Sequence, residues 1–160
     1  MTGSTATMAA RQNGGMHIID LPRGDARWSA ALPVLQELRH DLTAEALDAV
    51  LEEGEPQGLR FSAVFETNES GGETCLVVAG WRIIANTSTG RKLYIDDLVT
   101  AAGARSQGAG TLMLHELIGH ARRAGCSTVE LDSGVQRFDA HRFYLRERMS
   151  ITAHHFRLPL

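Results

Sequence analysis

Lysine is nearly missing from this chain: Lys92 is the single one among 16 basic residues. A basic surplus is missing too, since 16 Lys and Arg stand against 19 Asp and Glu, a net charge of −3 with a pI near 6.1. A dedicated nucleic-acid binder displaces counterions with a positive excess, so that class is excluded. The two cysteines, Cys75 and Cys126, lie far apart and form no CxxC pair. They build neither a disulfide framework nor a cysteine metal site, and are read as reduced thiols of a cytoplasmic protein. No apolar run approaches the roughly 20 residues of a membrane-spanning helix. Residues 1–15 hold no apolar stretch of the secretory kind and are read as a disordered leader. No internal repeat is visible.

What is present suits a packed domain. The chain is 43% hydrophobic over 160 residues, enough for one mixed α/β or α+β domain over residues 16–160. His17 to Leu21 reads as a short strand ended by Pro22 and Gly24. Arg27 to His40 reads as a helix with Trp28, Ala31, Leu32, Leu35 and Leu38 on one stripe, and Pro33 within its first two turns. After a loop and cap at Asp41 to Glu45, a second helix runs to about Glu53. Alternation predicts strands over Leu59–Thr67, Thr74–Ala85 and Lys92–Thr100, joined by glycine-rich turns into an antiparallel meander.

The pattern then changes. Ala101 to Gly110 is a small-residue loop. Thr111 to Ala124 is an amphipathic helix, with Leu114, Leu117, Ile118 and Ala121 on one face and His115, Glu116, His120 and Arg123 on the other. Gly125 suits its C-terminal end. Ser127 to Asp132 follows as a strand, so a helical crossover should set it parallel to the strand ending at Thr100. A helix over Phe138 to about Arg148 and an extended segment over Ser150–Leu158, read as one or two strands, complete the chain.

The segment Arg105-Ser106-Gln107-Gly108-Ala109-Gly110 carries the chemistry. It stands between a strand and a helix, where several amides have no helical partner and the dipole favours an anion. Glycine lets a phosphate approach the backbone closely. No acidic residue occupies the first turn, and Arg105 adds positive charge at the rim. The pattern is neither GxxxxGK[ST] nor GxGxxG, so nucleoside triphosphates and NAD are poorly supported. A tight turn made by glycines without a ligand is the plain alternative.

Joined to Leu98-Val99-Thr100 before it, to Leu131-Asp132-Ser133-Gly134, and to Ala140-His141-Arg142-Phe143-Tyr144 with Met149 behind, this segment resembles the acetyl-CoA signature of the GNAT acyltransferase superfamily. The order of elements from Ile18 onward resembles it as well. The resemblance implies a mostly antiparallel, twisted sheet of six to seven strands with a splayed parallel central pair, flanked by about four helices. It implies acetyl-CoA as acyl donor, with no metal. The pantetheine arm would lie against Leu98, Val99 and Thr100. The pyrophosphate would rest on the amides of Ser106, Gln107, Gly108, Ala109, Gly110 and Thr111. Ser133, Arg137 and His141 would lie near the arm or nucleotide. Dimerisation through the C-terminal strands is implied by the same resemblance.

The implied reaction is direct acyl transfer to an amine. A primary amine, with a pKa of about 10, must lose a proton before it attacks. A backbone N–H near Leu98 is placed to stabilise the oxyanion. The resemblance makes Tyr144 the acid for the leaving thiolate, uphill by only about 2 kcal/mol; packing against Phe143 is the alternative role. Asp96 and Asp97 are the candidate base or ammonium site. Consecutive strand residues point to opposite faces unless a bulge intervenes, and a solvated edge is an equally weighted reading. Glu66 is a weaker candidate.

Two other signals are discounted. His115 and His120 are five apart, which turns one imidazole away by about 140°, so no HExxH zinc site forms. His154 and His155 point oppositely in an extended segment. A small amine is the favoured acceptor, with no nucleic acid and no membrane. A protein amine is the second reading, and a CoA-binding sensor without catalysis is the third.

Overall fold

The computed structural model describes residues 12, 13 and 15–160. Most of the expected leader therefore lies outside the described residues. Two of its members, Gln12 and Asn13, form β1 and pair antiparallel with His17 and Met16 of β2 (Met16–Asp20). The described chain falls into two compact units, one ending at Glu130 and one running from Leu131 to Leu160.

In the first unit, α1 (Trp28–Gln36) contains Pro33 and stops short of the expected His40. The backbone leaves the helix as tight turns, and the Gln36 side chain closes this end by donating to the Leu42 carbonyl at 2.7 Å. Thr43 caps α2 (Ala44–Gly54): its hydroxyl accepts from the Ala46 amide at 3.1 Å. A 3-10 turn at Glu55–Gln57 leads into the meander of β3 (Arg60–Thr67), β4 (Glu73–Asn86) and β5 (Gly90–Thr100), each pair antiparallel as the alternation predicts. A second 3-10 turn, Ala102–Ala104, precedes α3 (Ala109–Arg123). β6 (Thr128–Leu131) then lies beside β5, and the sheet runs β1-β2-β3-β4-β5-β6. The intervening helix returns the chain to its starting end, so β6 is the parallel strand of a mixed sheet.

Alternation along the strands gives the sheet two buried faces. Phe61, Ala63 and Phe65 of β3 pack with Ala31, Val34 and Leu35 of α1 and Leu47 and Leu51 of α2. α3 contacts β3, β4 and β5, and its Met113, Leu114 and Leu117 are fully buried. Burying each such side chain contributes on the order of 1.5–3 kcal/mol. Two residues expected on the outer face of α3 are in fact drawn in. Glu116 is buried and accepts from the Arg123 guanidinium at 2.8 Å, while the His120 ring lies 4.6 Å from Trp81. Trp81 in turn donates to the Ser62 hydroxyl at 3.1 Å, which satisfies a buried pair of polar groups.

The second unit carries α4 (Phe138–Arg146). It ends two residues before the expected Arg148, which takes a left-handed φ of 64° while Met149 donates back to the Tyr144 carbonyl. The expected strand over Ser150–Leu158 does not form: that segment has no regular structure. Consequently β6 is the last strand in the order, and the parallel pair expected at the centre of the sheet stands at its edge.

Candidate active site

The two adjacent aspartates lie at a break in the β4–β5 register. Gly80 faces Asp97 and Trp81 faces Ile95, so Asp96 is the extra residue of a bulge. The bulge overrides the alternation that would have sent the two carboxylates to opposite faces. Gly80 is required here, since a Cβ would stand 2.8 Å from the Phe61 ring and 3.0 Å from Asp97 Oδ2. Arg39, beyond the end of α1, donates to Asp97 Oδ1 at 2.7 Å and to the Asp96 carbonyl at 3.2 Å. Arg82 donates to Asp96 Oδ2 at 2.8 Å. Burial pushes the Asp97 carboxyl above its ordinary range, and Arg39 pulls against that shift. A carboxylate raised this way is a better proton acceptor than an exposed one.

Leu98, Val99 and Thr100 continue β5 from the bulge, facing Ala79, Val78 and Val77 of β4. Glu37, just past the end of α1, binds the chain as it leaves the strand, accepting from the Ala102 amide at 3.0 Å and from Arg105 at 3.1 Å. Arg105 is thus tied to Glu37 at the rim. Gln107 donates to the Gly103 carbonyl at 3.0 Å, and Ser106 holds a φ of 65°.

Gly108 stands immediately before α3 with a φ of 85°, and the helix has no side-chain cap and no acidic residue in its first turn. A Cβ built there meets nothing within 4 Å, so the backbone faces open space. The opening amides of a helix have no i−4 partners. An uncapped start, an open approach and no competing carboxylate fit a diphosphate, and with it an acyl-CoA. Ser106 to Thr111 are the residues that would hold it.

Beside the bulge is a cavity of about 430 Å³ lined by Arg82, Ile84 and Asn86 of β4 and by Lys92, Tyr94 and Asp96 of β5. Alternate residues of two paired strands share one face, so the lining follows from the register. Lys92 donates to Glu130 at 2.6 Å and lies 5.4 Å from the centre of the Tyr94 ring.

In the second unit, Ser133 and His141 are half-buried and Arg137 is exposed. His141 Nε2 lies 2.9 Å from the Gly134 carbonyl, and the Arg137 amide donates to that same carbonyl at 2.9 Å. Both contacts tie the start of α4 to the Ser133–Gly134 turn. Tyr144 packs edge-on to Phe143, with centroids 5.3 Å apart. Burial raises the Tyr144 pKa above its ordinary value, offset in part by Arg137. Asp132, which follows β6, is 2.9 Å from His155 Nδ1.

Glu37, Arg39, Arg82 and Lys92 were not among the residues singled out from the sequence. Arg82 and Lys92 had a readable signal, because polar residues at every second position of two strands joined by a hairpin share a face. Arg39 and Glu37 had none: their partners are 58 and 65 positions away.

The model of the acetyltransferase (GNAT) family matches residues 27–148. An uncharacterized N-acetyltransferase of Bacillus subtilis (strain 168), YhdJ, is 33% identical over 138 residues, 83% of this chain and 92% of that one. The aminoalkylphosphonate N-acetyltransferase of Salmonella typhimurium is 43% identical over 53 residues, 33% of this chain and 34% of that one. Among solved structures, an acetyltransferase of Trypanosoma brucei superposes with a TM-score of 0.72 at 21% identity, covering 91% of this chain and 99% of that one. That likeness shows the fold alone.

Proposed function

The chain belongs to the acetyltransferase (GNAT) family, and on that premise we propose that it moves an acetyl or other short acyl group from acyl-CoA to the amine of a small molecule. The observation that carries this reading is the shared placement on β5 and its outgoing loop. A carboxylate bulge at Asp96–Asp97 and the uncapped start of α3 at Gly108 bracket Leu98–Thr100. The local similarity to an enzyme acting on aminoalkylphosphonates favours a small acceptor over a protein.

Bound acyl-CoA supplies the thioester carbon that the amine attacks. The amides from Ser106 to Thr111 would hold its diphosphate, and the backbone of Leu98, Val99 and Thr100 would align its arm. An N–C bond forms and the C–S bond breaks. The ammonium gives up two protons in all: one ends on the sulfur of CoA and one reaches solvent.

Magnitudes divide the work between groups. Freeing an amine of pKa about 10 at pH 7 costs about 4 kcal/mol. Passing its proton to an ordinary aspartate costs about 8 kcal/mol. Each unit of elevation on the carboxyl removes about 1.4 kcal/mol from that second figure. Asp97 therefore first holds the ammonium, and takes the proton as attack makes the nitrogen more acidic. Arg39 keeps Asp97 ionised for that task. The family resemblance assigns the acid for the departing sulfur to Tyr144, whose phenol burial keeps protonated, as a donor must be.

A thiol-release assay with acetyl-CoA and an amine panel tests the reading. The expected result is thiol release that depends on a small amine. Release that requires a protein amine instead places the chain with the protein modifiers. Tight CoA binding without turnover on any amine or protein makes it a sensor.

A further inference from the structure

The chain's one lysine stands in the cavity beside the bulge, and it does not stand alone. Lys92 and Arg82 supply two cations to the lining, and each meets one carboxylate, Glu130 beside the lining and Asp96 within it. Both cations are held in place: Arg82 Nε by Asp96 Oδ2 at 2.8 Å, and Lys92 Nζ by Glu130 Oε2 at 2.6 Å. Each pairing uses only part of what the group offers. A guanidinium has five N–H donors and an ammonium three. Both side chains are mostly buried, at 24% and 16% exposed. A partly desolvated cation attracts an anion more strongly than one in water.

This wall is a poor home for a purely cationic amine. A diamine would find both carboxylates already paired, and its second ammonium would face the unused N–H donors of Arg82 and Lys92, which it cannot accept. An uncharged tail would leave their remaining donors to water. An acceptor with an acid group satisfies both ends. Along β5, Arg82 faces Tyr94 and Ile84 faces Lys92. At about 3.4 Å per residue, Tyr94 is about 7 Å and Lys92 about 14 Å from Asp96. Long basic side chains shorten these spans, so the acid and the amine need only a few bonds between them.

We propose that the acceptor is an amine that also bears an oxyanion, carboxylate, phosphonate, phosphate or sulfonate, with the anion on Arg82 and Lys92 and the ammonium turned toward Asp96 and Asp97. This inference rests on the acyl-transfer reading, and it names the substrate class of the same site.

The test pairs two readouts. The first is thiol release with matched amines: aminoalkyl carboxylates, phosphonates, phosphates and sulfonates against alkylamines and diamines of equal length. The second is reductive methylation of Lys92 followed by peptide mass mapping, with and without each amine. The expected result is a kcat/KM at least tenfold higher for the acid-bearing amines, and slower labelling of Lys92 in their presence. Arg82→Gln should shrink that preference at least threefold. Asn86→Asp should do the same while keeping the Oδ1 that accepts from the Thr89 amide and hydroxyl at 2.8 and 3.0 Å, so it puts a negative charge in the lining without loss of fold. Equal or better turnover of neutral or cationic amines overturns the proposal and leaves acyl transfer standing. No turnover, but protection of Lys92 by acid-bearing amines, upholds the anion site and overturns acyl transfer. No turnover and no protection overturn both. An unchanged preference in Asn86→Asp overturns the assignment to this cavity.

Discussion

Every buried hydrophobic residue among the described ones falls between Ile18 and Ala121. The stretch from Leu131 to Leu160 has none: α4 buries no residue, and Val135, Phe138, Ile151, Phe156 and Leu158 are exposed. Yet that second stretch holds Ser133, His141 and Tyr144, which carry much of the family likeness. Stability and motif are thus divided along the chain. The first region is a packed scaffold that presents Asp96, Asp97 and the glycine loop. The second orders its candidate side chains through local contacts, such as His141 on the Gly134 carbonyl and Tyr144 on Phe143. Substitutions in the two regions should therefore fail differently.

The largest contrast is in stability. Leu117→Ala, at a fully buried position, should cost about 2–5 kcal/mol. Phe156→Ala, 90% exposed, should cost about 0.5 kcal/mol or less. Urea denaturation measures both, and equal losses would show that the second region has a core of its own. Next comes cofactor binding. Gly108→Glu puts a side chain at a φ of 85° and a negative charge where the proposed diphosphate would rest. Calorimetry should show acetyl-CoA affinity falling by at least about 100-fold; unchanged affinity refutes the cradle. Tyr144→Phe should lower kcat by about 100-fold, the lower end for a lost general acid, with the KM for acetyl-CoA little changed. Steady-state rates that match the parent remove Tyr144 from the chemistry.

The smallest expected effect is a shift in pH dependence. Asp97 is raised by burial and lowered by Arg39. As a base it works when deprotonated, so kcat/KM should rise with pH through its pKa. That acid limb lies above the ordinary aspartate range. Arg39→Ala removes the cation that favours the charged form, so the limb should move to higher pH. A limb that stays in place, or moves down, separates Asp97 from the titration. The sign for stability is opposite to that of an aspartate lowered on folding: although Arg39 pairs with it, the raised Asp97 carboxyl binds its proton more tightly folded than unfolded, so this group alone makes folding less favourable as pH rises.

Most of the fold was legible because it rests on spacing. Phe61, Ala63 and Phe65 alternate, and they face the helices. Leu114, Leu117 and Ala121 recur at helical intervals, and they are buried. The final strand misled: apolar residues over Ser150–Leu158 alternate well enough, but alternation does not supply a partner strand. His120 and Glu116 misled for the converse reason. A helical wheel places them outward, while Trp81 and Arg123 provide them with neighbours.

The glycine loop with its uncapped helix, the meander and the parallel return were determined by the sequence itself, since each follows from the spacing of apolar residues and turn glycines along consecutive elements. Tertiary structure alone decided where the chemistry converges. The β4–β5 register put Asp96 into a bulge, and packing brought Arg39 to Asp97 across 58 positions. Side chains so far apart along the chain meet only after the core has closed, and no local pattern records which of them will be neighbours.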